Sequence, residues 1–399
     1  MGMFAAFVGV GIYAGAVAIA LINCIYLSYL LSVYATCHGR PVGMWSTSIR
    51  NHFGAPTTIA GFLLFWAGLS LLWTPRPAPA SAYYLYNLVV VLISYMLCKL
   101  YPIRDVFLMA CKGTAYAATA SMPLAVVLIG FTGGRLGGVL GNSMVGPISS
   151  AGILGAICVR YLVLEKSMSK KLAIVFFVVY MSSLLLTFNK TGIIAFTLAA
   201  LVYAMLAPGS FRRHIMRIII TALGVTITFF AAFSKIAEYA NKSGAGSART
   251  LSGRTIIWEA TYRQIINGPY IRGYGEAAFR EIGPKLGSSL VHYVHPHNEF
   301  LAIWFNFGLV GVVLVYLCYL ALALISLKAF RCGGGHLAIL ILCTVILYFI
   351  FGITAASYSM CLFPLPWLLL YDCLISTRFE TPKTFSFRDQ CKIITSNQK

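Results

Sequence analysis

Residues 300–327 read FLAIWFNFGLVGVVLVYLCYLALALISL, a run without a charged side chain and longer than the about 20 apolar residues that cross the hydrocarbon of a bilayer. Hydrocarbon offers no water to a backbone N–H or C=O, so such a run must satisfy its own hydrogen bonds as a helix. Comparable segments lie near 3–35, 57–73, 83–98, 110–130, 147–163, 172–187, 191–207, 214–233, 337–352 and 358–375. The first is long enough for one overlong helix or a tight pair, giving eleven or twelve spans. Composition agrees: 59% of residues are hydrophobic and 10% charged, with mean hydropathy +0.84, where a soluble domain carries about a quarter charged residues. The expected fold is an all-α polytopic integral membrane protein with one large, partly helical outer loop. Disorder, coiled coil and secreted disulfide scaffolds are excluded, since each needs more charge, a heptad pattern or a short Cys-dense chain.

The chain divides into N-terminal spans (1–233), a polar loop (234–297), C-terminal spans (298–375) and a basic tail (376–399). The apolar N-terminus has no basic region ahead of it and reads as an anchor rather than a cleaved signal. Of eleven Cys, Cys24, Cys98, Cys111, Cys158, Cys318, Cys343 and Cys361 lie inside apolar runs and read as small core residues. No C-x-x-C occurs, so a zinc ribbon or a stapled outer domain has no support.

Thirty Lys and Arg against ten Asp and Glu give a net charge of +20. On a soluble protein that would suggest nucleic acid; here the positive-inside bias explains most of it, and no nucleic-acid partner is expected. One set of connections holds Arg40 and Arg50; Lys99, Arg104 and Lys112; Arg160, Lys166, Lys170 and Lys171; Arg212, Arg213 and Arg217; Lys328 and Arg331; and five basic residues of the tail. The opposite short connections hold only Arg76, Arg135 and Lys190. The C-terminus is therefore expected in the cytoplasm and residues 234–297 on the outer face, whether the first segment is one helix or two.

That loop is the only large polar piece of the chain and the first place to look for chemistry. It carries Lys235, Lys242, Arg249, Arg254, Arg263, Arg272, Arg280 and Lys285 against Glu238, Glu259, Glu276 and Glu281, with Glu299 at its far edge. Trp258, Tyr262, Ile265 and Ile266 fall at helical spacing, and Asn267-Gly268-Pro269 is a stop signal. The pattern predicts a helix from about Arg254 to Asn267, a turn through Gly273 and Gly275, and a second short helix ended by Gly283-Pro284: a folded cap over the membrane. Gly273-Tyr274-Gly275 is no dinucleotide motif, lacking the preceding strand and the third glycine.

The loop closes with His292-Tyr293-Val294-His295-Pro296-His297-Asn298-Glu299. A metal site using Glu299 as a fourth ligand is one reading, but the spacing matches no zinc signature. Interfacial polar residues at a helix start are the bland reading. The functional reading makes His297 a general base, because a helix N-terminus disfavours the imidazolium and leaves the ring able to accept a proton. Gly308 and Gly311 downstream allow close helix contact.

Three places resemble the O-antigen ligase and O-antigen polymerase superfamily of bacterial surface-polysaccharide enzymes. Ser252-Gly253-Arg254 with Trp258, Gly268-Pro269 and Gly273-Tyr274-Gly275 resembles its outer-loop signature. His297-Asn298, nine residues, Gly308, two residues and Gly311 resembles its histidine motif, and Arg135-Leu136-Gly137-Gly138 through Gly141-Asn142 a glycine-rich outer segment. The resemblance runs in order from about residue 130 to 315. One departure is Asn189-Lys190, standing where the family has a Ser-Arg pair; lysine keeps the charge but loses the bidentate fork.

The resemblance implies transfer of a glycan from a polyprenyl-pyrophosphate carrier to a sugar hydroxyl, such as that of lipid A-core, on the periplasmic side of the bacterial inner membrane, with no cofactor or metal. It implies His297 as the base and Arg254, with Arg272 and Lys190, as cations that bind the pyrophosphate and stabilise charge as the anomeric bond breaks. Arg135, Asn298 and Trp258 join them as substrate-binding residues. With only three Asp and no Asp-x-Asp pair, the chain offers little hard-oxygen ligand for magnesium or manganese. Within the superfamily the expectation leans to ligation, with repeat-unit polymerisation and transfer to protein serine or threonine as alternatives. From other classes, a secondary transporter is disfavoured because none of the ten acids falls mid-span, whereas a flippase for lipid-linked glycan using basic residues stays open.

Overall fold

The computed structural model of the protein describes residues 55–100, 103–128, 131–132, 135–136, 145–187, 190–206, 224, 254–286, 295–331 and 335–354. The segments expected to span near 3–35 and 358–375 lie outside these residues, as does 214–233 apart from residue 224. The described chain is helical except for one minimal hairpin. In order come α1 (Ala55–Ser70), α2 (Pro77–Leu100), α3 (Ile103–Leu128), β1 (Phe131–Thr132), β2 (Arg135–Leu136), α4 (Val145–Leu164), α5 (Lys170–Thr187), α6 (Lys190–Leu206), α7 (Arg254–Ile266), α8 (Phe279–Ile282), a 3-10 turn (Gly283–Leu286), α9 (Glu299–Ala329) and α10 (Gly335–Thr354). The hairpin pairs Phe131 with Leu136 and Thr132 with Arg135 in antiparallel register.

Among the described residues two segments, Pro77–Leu97 of α2 and Glu299–Ala329, are long and apolar enough to cross a membrane by length and composition, and four shorter apolar helices accompany them. Helix α3 starts at Ile103, upstream of the apolar run that marks it in the sequence, because Asp105 in its first turn complements the helix dipole and extends the helix into polar sequence. Helices α3, α4 and α5 pack side by side, α1 packs on α9, and α10 lies against both α6 and α9. One apolar core runs through this bundle from Leu63 and Phe107 to Tyr180, Val315 and Ile341. Cys111, Cys158 and Cys318 are buried free thiols within it, and Cys343 is another in a small cluster with Ala199 and Ile339. On the outside of the bundle Phe65, Ile174, Val178 and Leu324 are each more than half exposed. A run of large outward apolar groups of this kind suits contact with lipid rather than water.

The cap residues sit on the first half of α9. Ile257 and Ile265 of α7, Ala278, Phe279, and Leu301 and Phe305 of α9 form a second core. The buried stripe of α7 is Ile257, Thr261 and Ile265, one position off the stripe expected from the sequence, and Tyr262 and Ile266 stay about half exposed. Tyr262 instead meets the edge of Trp304, with ring centroids 6.0 Å apart.

Helix α9 is broken at Gly308, whose φ of 67° and ψ of −171° lie in a region open essentially to glycine. A break inside an apolar helix orphans backbone groups on both sides, and here the loop 270–275 supplies their partners. Tyr274 N–H donates to Phe305 O and Gly275 N–H to Asn306 O, both at 2.8 Å. Leu309 N–H donates to Tyr270 O at 2.9 Å and Val310 N–H to Ile271 O at 3.3 Å. The remaining carbonyl, Phe307 O, accepts the indole N–H of Trp66 from α1 at 2.7 Å. A Cβ on Gly308 would strike the Ile271 carbonyl and one on Gly273 the backbone of Asn306 and Gly308, so these glycines are what lets the two backbones meet.

Replacing Gly308 by Ala should therefore lower the melting temperature of the detergent-solubilised protein by several degrees, the positive φ alone costing about 1–3 kcal/mol. Gly61→Ala, at a helical site where an added methyl meets nothing within 4 Å, should leave it unchanged or raised by a few degrees. Equal melting temperatures for the two variants would contradict the spliced break.

Candidate functional site

Immediately ahead of α9 the chain makes a short strap, His295-Pro296-His297, held at each residue. The N–H of His297 donates to His295 Nδ1 at 3.2 Å, and the Pro296 carbonyl accepts the Trp258 indole N–H at 2.9 Å. His297 adopts φ 53°, a left-handed conformation uncommon for a residue with a side chain. Asn298 then caps α9: its Oδ1 accepts the Leu301 N–H at 3.0 Å and its Nδ2 donates to the Ile353 carbonyl at 3.2 Å. The two imidazoles lie with centroids 4.2 Å apart.

Arg254, the first residue of α7, lies close enough for its charge to act on both histidines. Burial, and then the Arg254 guanidinium, lowers the His297 pKa from 6.5 to about 4. The His297 ring is thus uncharged at physiological pH. The cause differs from the sequence-based argument, in which the helix N-terminus alone disfavoured the imidazolium. A neutral imidazole beside a fixed guanidinium combines a proton acceptor with a site for an anion.

The other residues singled out by sequence are distributed unevenly. Trp258 belongs to the same cluster, but its N–H is used by the strap, so it shapes the site from behind. Asn298 is adjacent and uses its amide within the protein. Arg272 lies on the spliced loop with its guanidinium 5.6 Å from the Trp73 ring. Lys190 opens α6 and Arg135 lies in β2, which packs against α5; the side chains of both lie outside the described residues. A cleft of about 450 Å³ at the turn between α4 and α5, lined by Val163, Lys166, Ser167, Met168, Ser169 and Lys170, includes none of these residues.

Sequence reading missed two members. His295 is lowered to about 3 by burial, His297, Arg280 and Arg254. Arg280 of α8 is thus drawn into the cluster, and it also stacks 5.6 Å over the ring of Tyr83. Its signal in the sequence was only one more basic residue in a basic loop. Glu276 is buried against the turn after α1, its N–H donating to Ser70 Oγ and its carbonyl accepting from Thr74 Oγ1. Burial pushes its acid up to about 8, against a smaller opposing effect of the Ala277 N–H, so it is mostly neutral at pH 7. Glu299 points into the bundle, where Tyr319 donates to its Oε1 at 3.2 Å. Among the described residues no three His, Cys, Asp or Glu side chains converge as a metal site would require.

Trp258→Phe keeps the ring in the cap core but removes the donor to Pro296. A loss of about 1 kcal/mol, the net value of one such hydrogen bond, should appear as a small fall in melting temperature, clearly less than that of Trp258→Ala. Equal losses in the two variants would show that the indole N–H contributes nothing.

No curated protein matches the chain. A family model does: the one described as O-antigen ligase matches residues 172–316, from the first turn of α5 through the cap to the second half of α9. It covers the Gly-Arg element, Trp258, the spliced loop and the histidine motif, and supports a glycosyltransferase-type role in a membrane. The match over residues 172–316 supports a place for this chain in the O-antigen ligase and polymerase superfamily.

Proposed function

We propose that the protein is a multi-pass transferase of the bacterial inner membrane that moves a glycan from a polyprenyl-pyrophosphate carrier to a sugar hydroxyl on the periplasmic face, the acceptor being lipid A-core. The observation that carries the reading is the pairing of His297, held neutral by burial, with Arg254 at the outer end of a membrane-length helix. A pyrophosphate leaving group at the bilayer surface needs fixed cations, and an attacking hydroxyl needs a base. Arg254 and Arg280 would hold the pyrophosphate, with Arg272 and Lys190 supplementing them. His297 would take the acceptor proton as the hydroxyl attacks the anomeric carbon and the carrier pyrophosphate departs. One displacement of this kind inverts the anomeric centre. The outer position of the cap is the positive-inside reading of the sequence. Polymerisation of repeat units uses the same donor and base and differs in the acceptor, so the products distinguish the two reactions.

His297→Ala and Arg254→Ala should each leave protein levels normal and reduce transfer by roughly 10²–10⁴-fold, the usual contribution of a positioned base or charge-stabilising group. Full activity in either variant would refute the role given to that residue. On a gel of surface lipopolysaccharide, a host lacking the gene should show bare core while long polymer accumulates on its lipid carrier, with wild type but not His297→Ala restoring the ladder. Core bearing a single repeat unit would instead identify a polymerase, and an unaltered ladder would remove both readings. A flippase would keep working in His297→Ala.

Because His297 must be neutral to accept a proton, the rate should hold from neutrality down to about pH 5. It should then fall as the ring protonates through its lowered pKa of about 4. An acid limb centred at the ordinary histidine value near 6.5 would contradict the buried site.

A further inference from the structure

We infer that His295 is a positioning residue for His297: its Nδ1 accepts the His297 backbone N–H and holds that residue in the left-handed conformation that sets its ring beside Arg254. The inference rests on the transferase reading and adds a residue that reading does not need. A backbone N–H can only donate, so Nδ1 of His295 must be the unprotonated nitrogen, and in the neutral ring the proton sits on Nε2. Each residue of the strap and of the helix start has a named hold. Trp258 fixes the carbonyl of Pro296 and Asn298 fixes the helix that follows, but the His297 N–H is fixed by His295. A histidine at φ 53° persists only where its surroundings over-determine it.

The neighbours of His295 keep this arrangement in one state. Arg254 from α7, Arg280 from α8 and His297 on the strap itself all act against a positive charge on its ring, in addition to its burial. Nδ1 therefore stays an acceptor throughout the range in which the enzyme works. This separates the two histidines by role: His297 meets the acceptor hydroxyl, while His295 touches no reacting atom.

The test compares His295→Asn with His295→Leu. The two replacements have nearly the same shape, but Asn offers Oδ1 where Nδ1 stood and Leu offers no acceptor. Full-length protein in detergent would be supplied with lipid-linked glycan extracted from the host and with isolated lipid A-core as acceptor, and release of polyprenyl pyrophosphate followed against donor concentration and pH. Turnover should fall at least roughly 10-fold in Leu and stay within roughly 3-fold of wild type in Asn, with the half-saturating donor concentration unchanged in both. In Leu the acid limb should also move up from about pH 4 toward the ordinary histidine value near 6.5, since a displaced His297 loses its buried place. If Leu does not accumulate as folded protein, His295→Ala replaces it in the comparison. Wild-type turnover in the variant lacking the acceptor would overturn the proposal, as would an Asn variant that folds yet is equally inactive. His297→Ala in the same assay separates the claims. If it alone keeps full turnover, the base assignment fails and His295 with it; if it is inactive while Leu is normal, only the positioning role falls.

Discussion

The site depends on a repaired helix break. A membrane-length helix interrupted at Gly308 would leave carbonyls of Phe305, Asn306 and Phe307 and amides of Leu309 and Val310 without partners, each costly where water is scarce. The loop 270–275 and Trp66 supply all five. The cap is thereby attached to α9 by main-chain hydrogen bonds, a link indifferent to side-chain identity except where glycine is needed for close approach. Gly273, Gly275 and Gly308 all have positive φ, and they are the shared requirement of the outer-loop signature and the histidine motif. Two motifs that read as separate in the sequence are the two sides of one joint.

From that joint the chemistry follows by geometry. Docking the loop brings α7 and α8 down on the first turns of α9, so that Arg254 and Arg280 converge on the histidine strap. Burial then fixes the protonation states. Burial and the guanidinium groups of Arg254 and Arg280 hold His295 neutral, and burial with Arg254 does the same for His297. Surroundings of this character are what the proposed transfer requires, cations for an anionic leaving group and an uncharged imidazole to take a proton. The rest of the bundle provides α1 and α10 as walls for α9 and carries apolar side chains outward.

Much of this was legible in the sequence because the signals are periodic or stereochemically demanding. The apolar runs mark the helices, and Asn267-Gly268-Pro269 marks the end of α7, which the structure puts at Ile266. The buried face of α7 was displaced by one residue because Trp258 turns toward Pro296 to make a hydrogen bond, a tertiary demand invisible to periodicity. His295 and Arg280 went unnoticed for a similar reason: each is ordinary in its local sequence and acquires meaning only when the cap folds back. The break in α9 was also hidden, since Gly308 in an apolar run reads equally well as a packing glycine. The sequence account of His297 rested on the helix N-terminus, whereas the structure adds burial and the Arg254 charge, neither of which can be read from the strap alone.

The central claim is that this cap and helix perform a single displacement on a lipid-linked glycan. The most direct measurement uses the purified full-length protein in detergent with lipid-linked glycan from the host and isolated lipid A-core, and determines the anomeric configuration of the new linkage. The account predicts a conjugate whose anomeric centre is inverted relative to the donor, formed by the wild type and not by His297→Ala. A retained configuration, or no conjugate from the wild type, would contradict it.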